Sequence, residues 1–476
     1  MQLTTLSALS ALASTGAAET VLGAYIFHRH GDRTPKSLAP TNLTTLGYEQ
    51  VYTSGSYYRS RYLTGSSKIR GINEDIVKLQ QLAVTAPVDN VLQNSAMGFL
   101  QALYPPVQTI STLANGNEVQ APLDGYQLIP INTIETGAGS EDAGWLQSAS
   151  SCANAQLSSN NYFSSEEYQD MLSSTRDFYE ALVPVVNETL DESYVNFKNA
   201  YVVYDLINVA EIHNTSIPSS SVLTNDTLFH LRTLADAHEW GLAWNATDPM
   251  RAISGMQLAA EILSYMNSTI KSGTAGSSSN KFGIQFGAYA TFMSFFGLVG
   301  LDTVSENFKG VADYASSMAF ELFTDADVDA WPATEDLQVR FLFHNGTASN
   351  SSEPQVYPLF GSDANATSWT TFHDKLNDFA IGTTEQWCHK CGNSTGTCAP
   401  YAGSNDNGAG SASAQSSEGG NGISPTIGGV IGAFVTLAVV LGSLALFMLV
   451  GGFRLVSKKA LAARGGAVQQ GVETKA

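Results

Sequence analysis

The apolar run VLGAYIF, Val21 to Phe27, stops abruptly at HRHGDRTP, His28 to Pro35. A run without polar alternation is expected to be a strand buried on both faces, and such strands sit in sheets covered by helices on either side. In open α/β sheets, ligands bind beyond the carboxyl ends of the strands. Two arginines and a histidine therefore arrive where a ligand would lie. The chain as a whole is acidic, with a net charge of −20 over 476 residues, so this positive cluster is a local device. Nucleic acid is excluded as a partner, because phosphate backbones demand a basic face.

The cluster suits one chemistry. Gly31 is expected to let the backbone turn tightly, and Pro35 to stiffen the exit. Arg29 and Arg33 offer forked donors that can grip a tetrahedral dianion. His30 between them can attack phosphorus and carry the phosphoryl group.

The ends of the chain suggest a membrane protein. MQLTTLSALSALASTGAA, residues 1–18, has the short apolar stretch and small-residue end of a secretory signal peptide. Thr426 to Phe453 is a run of 28 residues without a charge. As a helix it would reach roughly 42 Å, longer than a hydrocarbon core of about 30 Å. After Gly452 come five Lys/Arg and one acid, which leaves 18 basic and 42 acidic residues before it, net −24. The positive flank belongs on the cytosolic side. N-x-S/T sequons at Asn42, Asn187, Asn214, Asn225, Asn245, Asn267, Asn345, Asn350, Asn365 and Asn393 all precede the span. A single-pass type I glycoprotein follows, at the plasma membrane or an endomembrane, with its ectodomain extracellular or lumenal. Residues 401–425 are Gly/Ser-rich and form a stalk. In that compartment Cys152, Cys388, Cys391 and Cys398 are expected to form disulfides rather than a zinc site. Three pairings are open, and each ties Cys152 to the end of the ectodomain.

Between these ends, helical patterning dominates roughly residues 110–270. SSEEYQDMLSSTRDFYEALVPVV reads as one helix with a Ser164–Glu167 capping box. AYVVYDLINVAEIHN and LTNDTLFHLRTLADAHEWGLAWN also read as helices, the second capped near Asn225. KFGIQFGAYATFMSFFGLVGL and DLQVRFLFHNG return to strand-like patterning.

Arg29 to Pro35 is an R-H-G-x-R-x-P sequence, and here the chain resembles the histidine acid phosphatases, the secreted branch of the histidine phosphatase superfamily. The likeness continues through LTTLGYEQVYTSGSYYRSRYL, SAMGFLQALYPPV, AYVVYDLINVAEIHN, MRAISGMQLAAEIL and LQVRFLF, in order. It implies a phosphoglycerate-mutase-like α/β sheet domain, residues 19–110 and 271–400, carrying a helical cap over residues 111–270. A C-terminal transmembrane helix, 426–453, and a cytosolic tail, 454–476, complete the chain. It also implies a phosphohistidine intermediate at His30, with Arg29 and Arg33 binding the phosphate of a phosphomonoester or inorganic phosphate. No metal site or nucleotide motif is present, so no cofactor is expected.

Two family features are missing. A gap-free alignment through SAMGFLQALYPP puts Thr85 where a further phosphate-binding arginine is expected and Val91 at the second arginine of that stretch. The family's His-Asp proton donor falls on Ala288 and Tyr289. His373-Asp374 and His238-Glu239 match the bare dipeptide but lie out of order, and His213, His230 and His344 read as structural. Asp32, inside the loop, would repel a dianion. The expectation is a histidine acid phosphatase-like protein with impaired or lost phosphomonoester hydrolysis. The alternative is a working extracellular acid phosphatase or phytase-like phosphomonoesterase.

Overall fold

The computed structural model describes residues 19–134, 151–213, 221–326 and 330–402. The chain divides into two units, Met1–Ser404 and Asn405–Ala476. The expected signal peptide, transmembrane helix and tail, and nearly all of the stalk, lie outside the described residues. Among those described, no helix is long and apolar enough to cross a membrane.

The strands in chain order are β1 (Thr20–Arg29), β2 (Leu82–Pro87), β3 (Ile110–Thr112), β4 (Glu118–Gln120), β5 (Asn132–Ile134), β6 (Phe282–Gly287), β7 (Ser317–Thr324), β8 (Gln338–His344), β9 (Gln355–Tyr357) and β10 (Thr367–Ser368). The main sheet runs β10-β8-β7-β1-β6-β2-β5, with β9 on β8, and β3 and β4 form a separate hairpin. β1 is parallel to β6 and antiparallel to β7. β2 continues the parallel half beside β6.

The unbroken apolar run of β1 follows from its position. Ile26 and Ala24 face helices α1 (Thr45–Arg59) and α2 (Asn90–Leu103), packing with Val51, Tyr58 and Phe99. Leu22, Tyr25 and Phe27 face the other way, onto helices Ile253–Thr274 and Tyr289–Leu298. Both faces are dry, so nothing polar is needed on either.

Helices Glu166–Ser174, Arg176–Val186, Ala200–His213 and Asn225–Ala243 form a layer with its own core, including Tyr179, Leu182, Phe197, Leu206 and Leu231. Two segments within 111–270 lie with the sheet instead. β5 pairs β2, and Ile253–Thr274 packs on β1 through Leu258, Ile262 and Met266.

Three local expectations differ. The helix expected over SSEEYQDMLSSTRDFYEALVPVV is two, broken at Thr175, where ψ is 4°. Its cap is Ser165, whose side chain accepts from Tyr168 N, not Ser164. Tyr289–Leu298 is a helix rather than strand, because nearly every residue in it is buried and no periodicity survives to read. The disulfides join Cys152 to Cys391 and Cys388 to Cys398, so the start of helix Ala153–Asn161 is tied to helix Thr384–Cys391.

Candidate phosphate site

Arg29 is the last residue of β1 and pairs in register with Gly287, the last of β6. The next residues along, His30 and Ala288, leave the sheet side by side at the carboxyl ends of two parallel strands. The loop is pinned from several sides. Gly31 N donates to Ser95 Oγ of α2 at 3.2 Å, and Asp32 N to Gln50 Oε1 of α1 at 2.8 Å. The need for glycine at position 31 is a close approach, not an unusual turn. A Cβ there would meet the backbone oxygen of Gly47 at 2.2 Å, and a Cβ on Gly47 would meet Asp32 O at 2.0 Å.

Arg29, His30 and Arg33 converge and are all buried. His30 Nδ1 lies 2.8 Å from the Gly31 carbonyl, which can only accept. Nδ1 therefore donates, and in the neutral ring Nε2 is left with the lone pair a nucleophile needs. Arg33 Nη1 is 3.0 Å from Asp205 of helix Ala200–His213, in an ion pair with both side chains out of solvent. Arg29 Nη1 donates to the Ala312 carbonyl. Both guanidinium groups donate to the hydroxyl of Tyr201, Arg29 Nη2 at 3.4 Å and Arg33 Nη2 at 3.3 Å.

Aromatic faces close the rest. Arg29 Cζ lies 4.6 Å from the ring centre of Tyr314 and 5.2 Å from that of Tyr289, and the His30 ring is 5.6 Å from Tyr314. Tyr314 comes from a loop that sequence gave no reason to select. Ala315, beside it, holds φ at 61°, a costly conformation for a residue with a Cβ. That loop is stitched to the end of β1 by Ala315 N donating to His30 O and Arg29 N donating to Ser316 O, both 2.8 Å. Burial pushes the Tyr314 hydroxyl well above its ordinary pKa.

Ala288 stands level with His30 beyond β6, as expected, but titratable groups lie beside it. Tyr289 donates its hydroxyl to Glu239 Oε2 at 2.7 Å, and His238 Nδ1 lies 2.9 Å from Glu239 Oε1. These two residues, set aside by sequence order, are brought to the site by helix Asn225–Ala243. Burial raises the Glu239 pKa, but His238, the Tyr289 hydroxyl and Lys36 outweigh it and hold the carboxyl below its ordinary value. Lys36, Tyr201, His238, Glu239 and Tyr289 line a cavity of about 430 Å³.

The remaining residues sort plainly. Asp32 accepts from the Thr44 hydroxyl and pairs with His213 Nε2 at 2.6 Å, so its charge is spent on the start of α1 and the end of a cap helix. Thr85 pairs with Gln285, two residues short of the β6 end, and brings no guanidinium. Val91 is buried in α2. His373-Asp374 lies on the solvent side of helix Trp369–Asn377, beside β10 at the far edge of the sheet. His230 packs against Phe178 in the cap, and His344 Nε2 lies 2.8 Å from Ser352 Oγ.

A family model for the histidine phosphatase superfamily (branch 2) matches residues 37–344. The chain belongs to this superfamily. The match begins just after Pro35, so the Arg29–Pro35 loop stands on its own residues and position. Among curated histidine phosphatases, human prostatic acid phosphatase is 29% identical over 310 residues, covering 62% of this chain and 72% of that protein. The mouse prostatic acid phosphatase is 27% identical over 333 residues, covering 67% and 78%. The fold is similar to Hafnia alvei phytase in complex with tartrate, with a TM-score of 0.50, 12% identity and coverage of 77% of this chain and 98% of that one. Citrobacter braakii phytase gives 0.50, 12%, 78% and 99%.

Proposed function

We propose that this histidine phosphatase superfamily member seats a phosphomonoester or inorganic phosphate at Arg29, His30 and Arg33, and that its hydrolysis of alkyl phosphates is impaired or lost. One observation carries this: the position level with His30 beyond β6 is Ala288, which has no proton to give, and its neighbour Tyr289 donates to an ionised Glu239. General acid help is worth about 10²–10⁴ in rate, and its loss falls hardest on leaving groups that are poor alkoxides. The nucleophile and its cradle are retained.

The same proposal makes the protein a membrane-anchored glycoprotein with an extracellular or lumenal ectodomain. Its supports are the uncharged run before the basic tail, two disulfides, and sequons whose described asparagines are nowhere buried, with Asn42, Asn187, Asn225, Asn345, Asn350 and Asn365 exposed.

The test uses the full-length protein in detergent at acid pH. Aryl phosphates, which need little protonation on departure, should be cleaved slowly and alkyl phosphates not measurably, with the aryl activity abolished in His30→Ala. Activity that survives His30→Ala removes His30 as nucleophile. The His238–Glu239–Tyr289 chain favours a second reading, a working phosphomonoesterase that draws its proton from these groups. Alkyl phosphate turnover by the wild type that Glu239→Gln abolishes would establish it.

A further inference from the structure

Tyr201 stands in the first turn of cap helix Ala200–His213 and is 6% exposed. Its hydroxyl oxygen accepts from Arg29 Nη2 and Arg33 Nη2 at 3.4 and 3.3 Å. One oxygen shared by the two guanidinium groups of the loop has the arrangement of one oxygen of a bound phosphate. The ring is fixed in this pose. It packs against Tyr289 at 4.6 Å between centres with the planes tilted by 36°, and Lys36 Nζ lies 5.2 Å from the Tyr201 ring centre. One turn along the helix, Asp205 pairs with Arg33 and accepts from Lys36 N at 2.8 Å, so the cap holds the loop at two points.

We propose that the Tyr201 hydroxyl occupies the seat of a phosphate oxygen, that an arriving phosphate must displace it, and that Tyr201 thereby sets the affinity of the site. This rests on Arg29 and Arg33 being the phosphate cradle. A dianion makes stronger charge-assisted bonds than a hydroxyl can, so it wins the seat. The two bonds it must break are subtracted from its affinity. Without the hydroxyl, Tyr201 no longer competes with the phosphate for the two guanidinium groups.

The experiment is calorimetric titration of inorganic phosphate into full-length wild type and Tyr201→Phe in detergent. The variant should bind about tenfold tighter, the factor that about 1.4 kcal/mol represents. As a second measurement, phosphate added to the wild type should change the near-UV tyrosine spectrum, and the variant should lack that change. The spectral measurement tests the idea even if Tyr201→Phe does not fold. Equal or weaker binding by a folded variant, or no spectral change in a wild type that binds phosphate, overturns the role of Tyr201. If neither protein binds phosphate, the cradle itself is overturned. If wild-type binding is abolished in Arg33→Ala while Tyr201→Phe binds like wild type, only the role of Tyr201 falls.

Discussion

Replacing Gly31 by alanine should damage the phosphate site more than the fold. The added Cβ would lie 2.2 Å from the Gly47 carbonyl oxygen and 2.7 Å from Gly47 Cα. To widen the 2.2 Å contact even to 3.0 Å, the loop and α1 must part by 0.8 Å, and backbone cannot swing aside as a side chain can. Overpacking of this kind costs about 1–3 kcal/mol. In a domain of this size that lowers Tm by only about 1–4 °C. The loop, however, carries His30 and Arg33 and follows directly on Arg29 at the end of β1. A displacement near 1 Å can cost about 100-fold in a reaction that depends on alignment. The assay pairs thermal unfolding with phosphate titration and aryl phosphate turnover. Gly31→Ala should melt within a few degrees of wild type, while phosphate affinity and kcat/KM for the aryl ester fall by about two orders of magnitude. A variant with wild-type affinity and turnover would refute the close approach as the reason for this glycine.

Two further outcomes concern charge in the core. Burial lowers the His28 pKa from 6.5 to about 4, so the unfolded chain takes up a proton well before the folded protein does. Stability should fall as pH drops from about 6.5 to 4, by about 3 kcal/mol in total, and His28→Leu should flatten that part of the pH–stability curve measured by urea unfolding. Parallel curves for the two proteins would rule His28 out. Asp205→Asn leaves the Arg33 guanidinium buried without its charge partner and should cost about 3 kcal/mol or more, while the Arg33→Met/Asp205→Leu double variant should cost less than the sum of the singles. Strict additivity in the denaturation midpoints would mean the pair is not coupled.

The sequence declared most where one residue type had one physical role. The β1 run was legible because both of its faces are apolar, and the loop because Arg29, His30, Gly31 and Arg33 stand within five residues of one another. Helix Tyr289–Leu298 hid for the same reason that β1 was plain: burial on all sides erases period as well as polarity. Tyr201, Asp205, Tyr314 and Glu239 come from three separate elements, and no local spacing joins them to Arg29. Tyr201 and Asp205 at i, i+4 on a helix otherwise read as a core stripe. Gly31 has the local look of a turn residue, yet its role is set by Gly47, sixteen positions away. His238-Glu239 was dismissed by order along the chain, and the cap helix shows that order does not decide proximity.

The dependence of rate on leaving group tests the missing acid most directly. Full-length protein should be assayed with a graded series of phosphate monoesters, from acidic phenols to simple alcohols, and log kcat/KM plotted against leaving-group pKa. Without a proton donor, the departing oxygen carries its full developing charge, and the plot should fall steeply and reach background before the alcohols. A nearly flat line, with alcohol esters cleaved about as fast as aryl esters, would contradict it and place a working acid opposite His30.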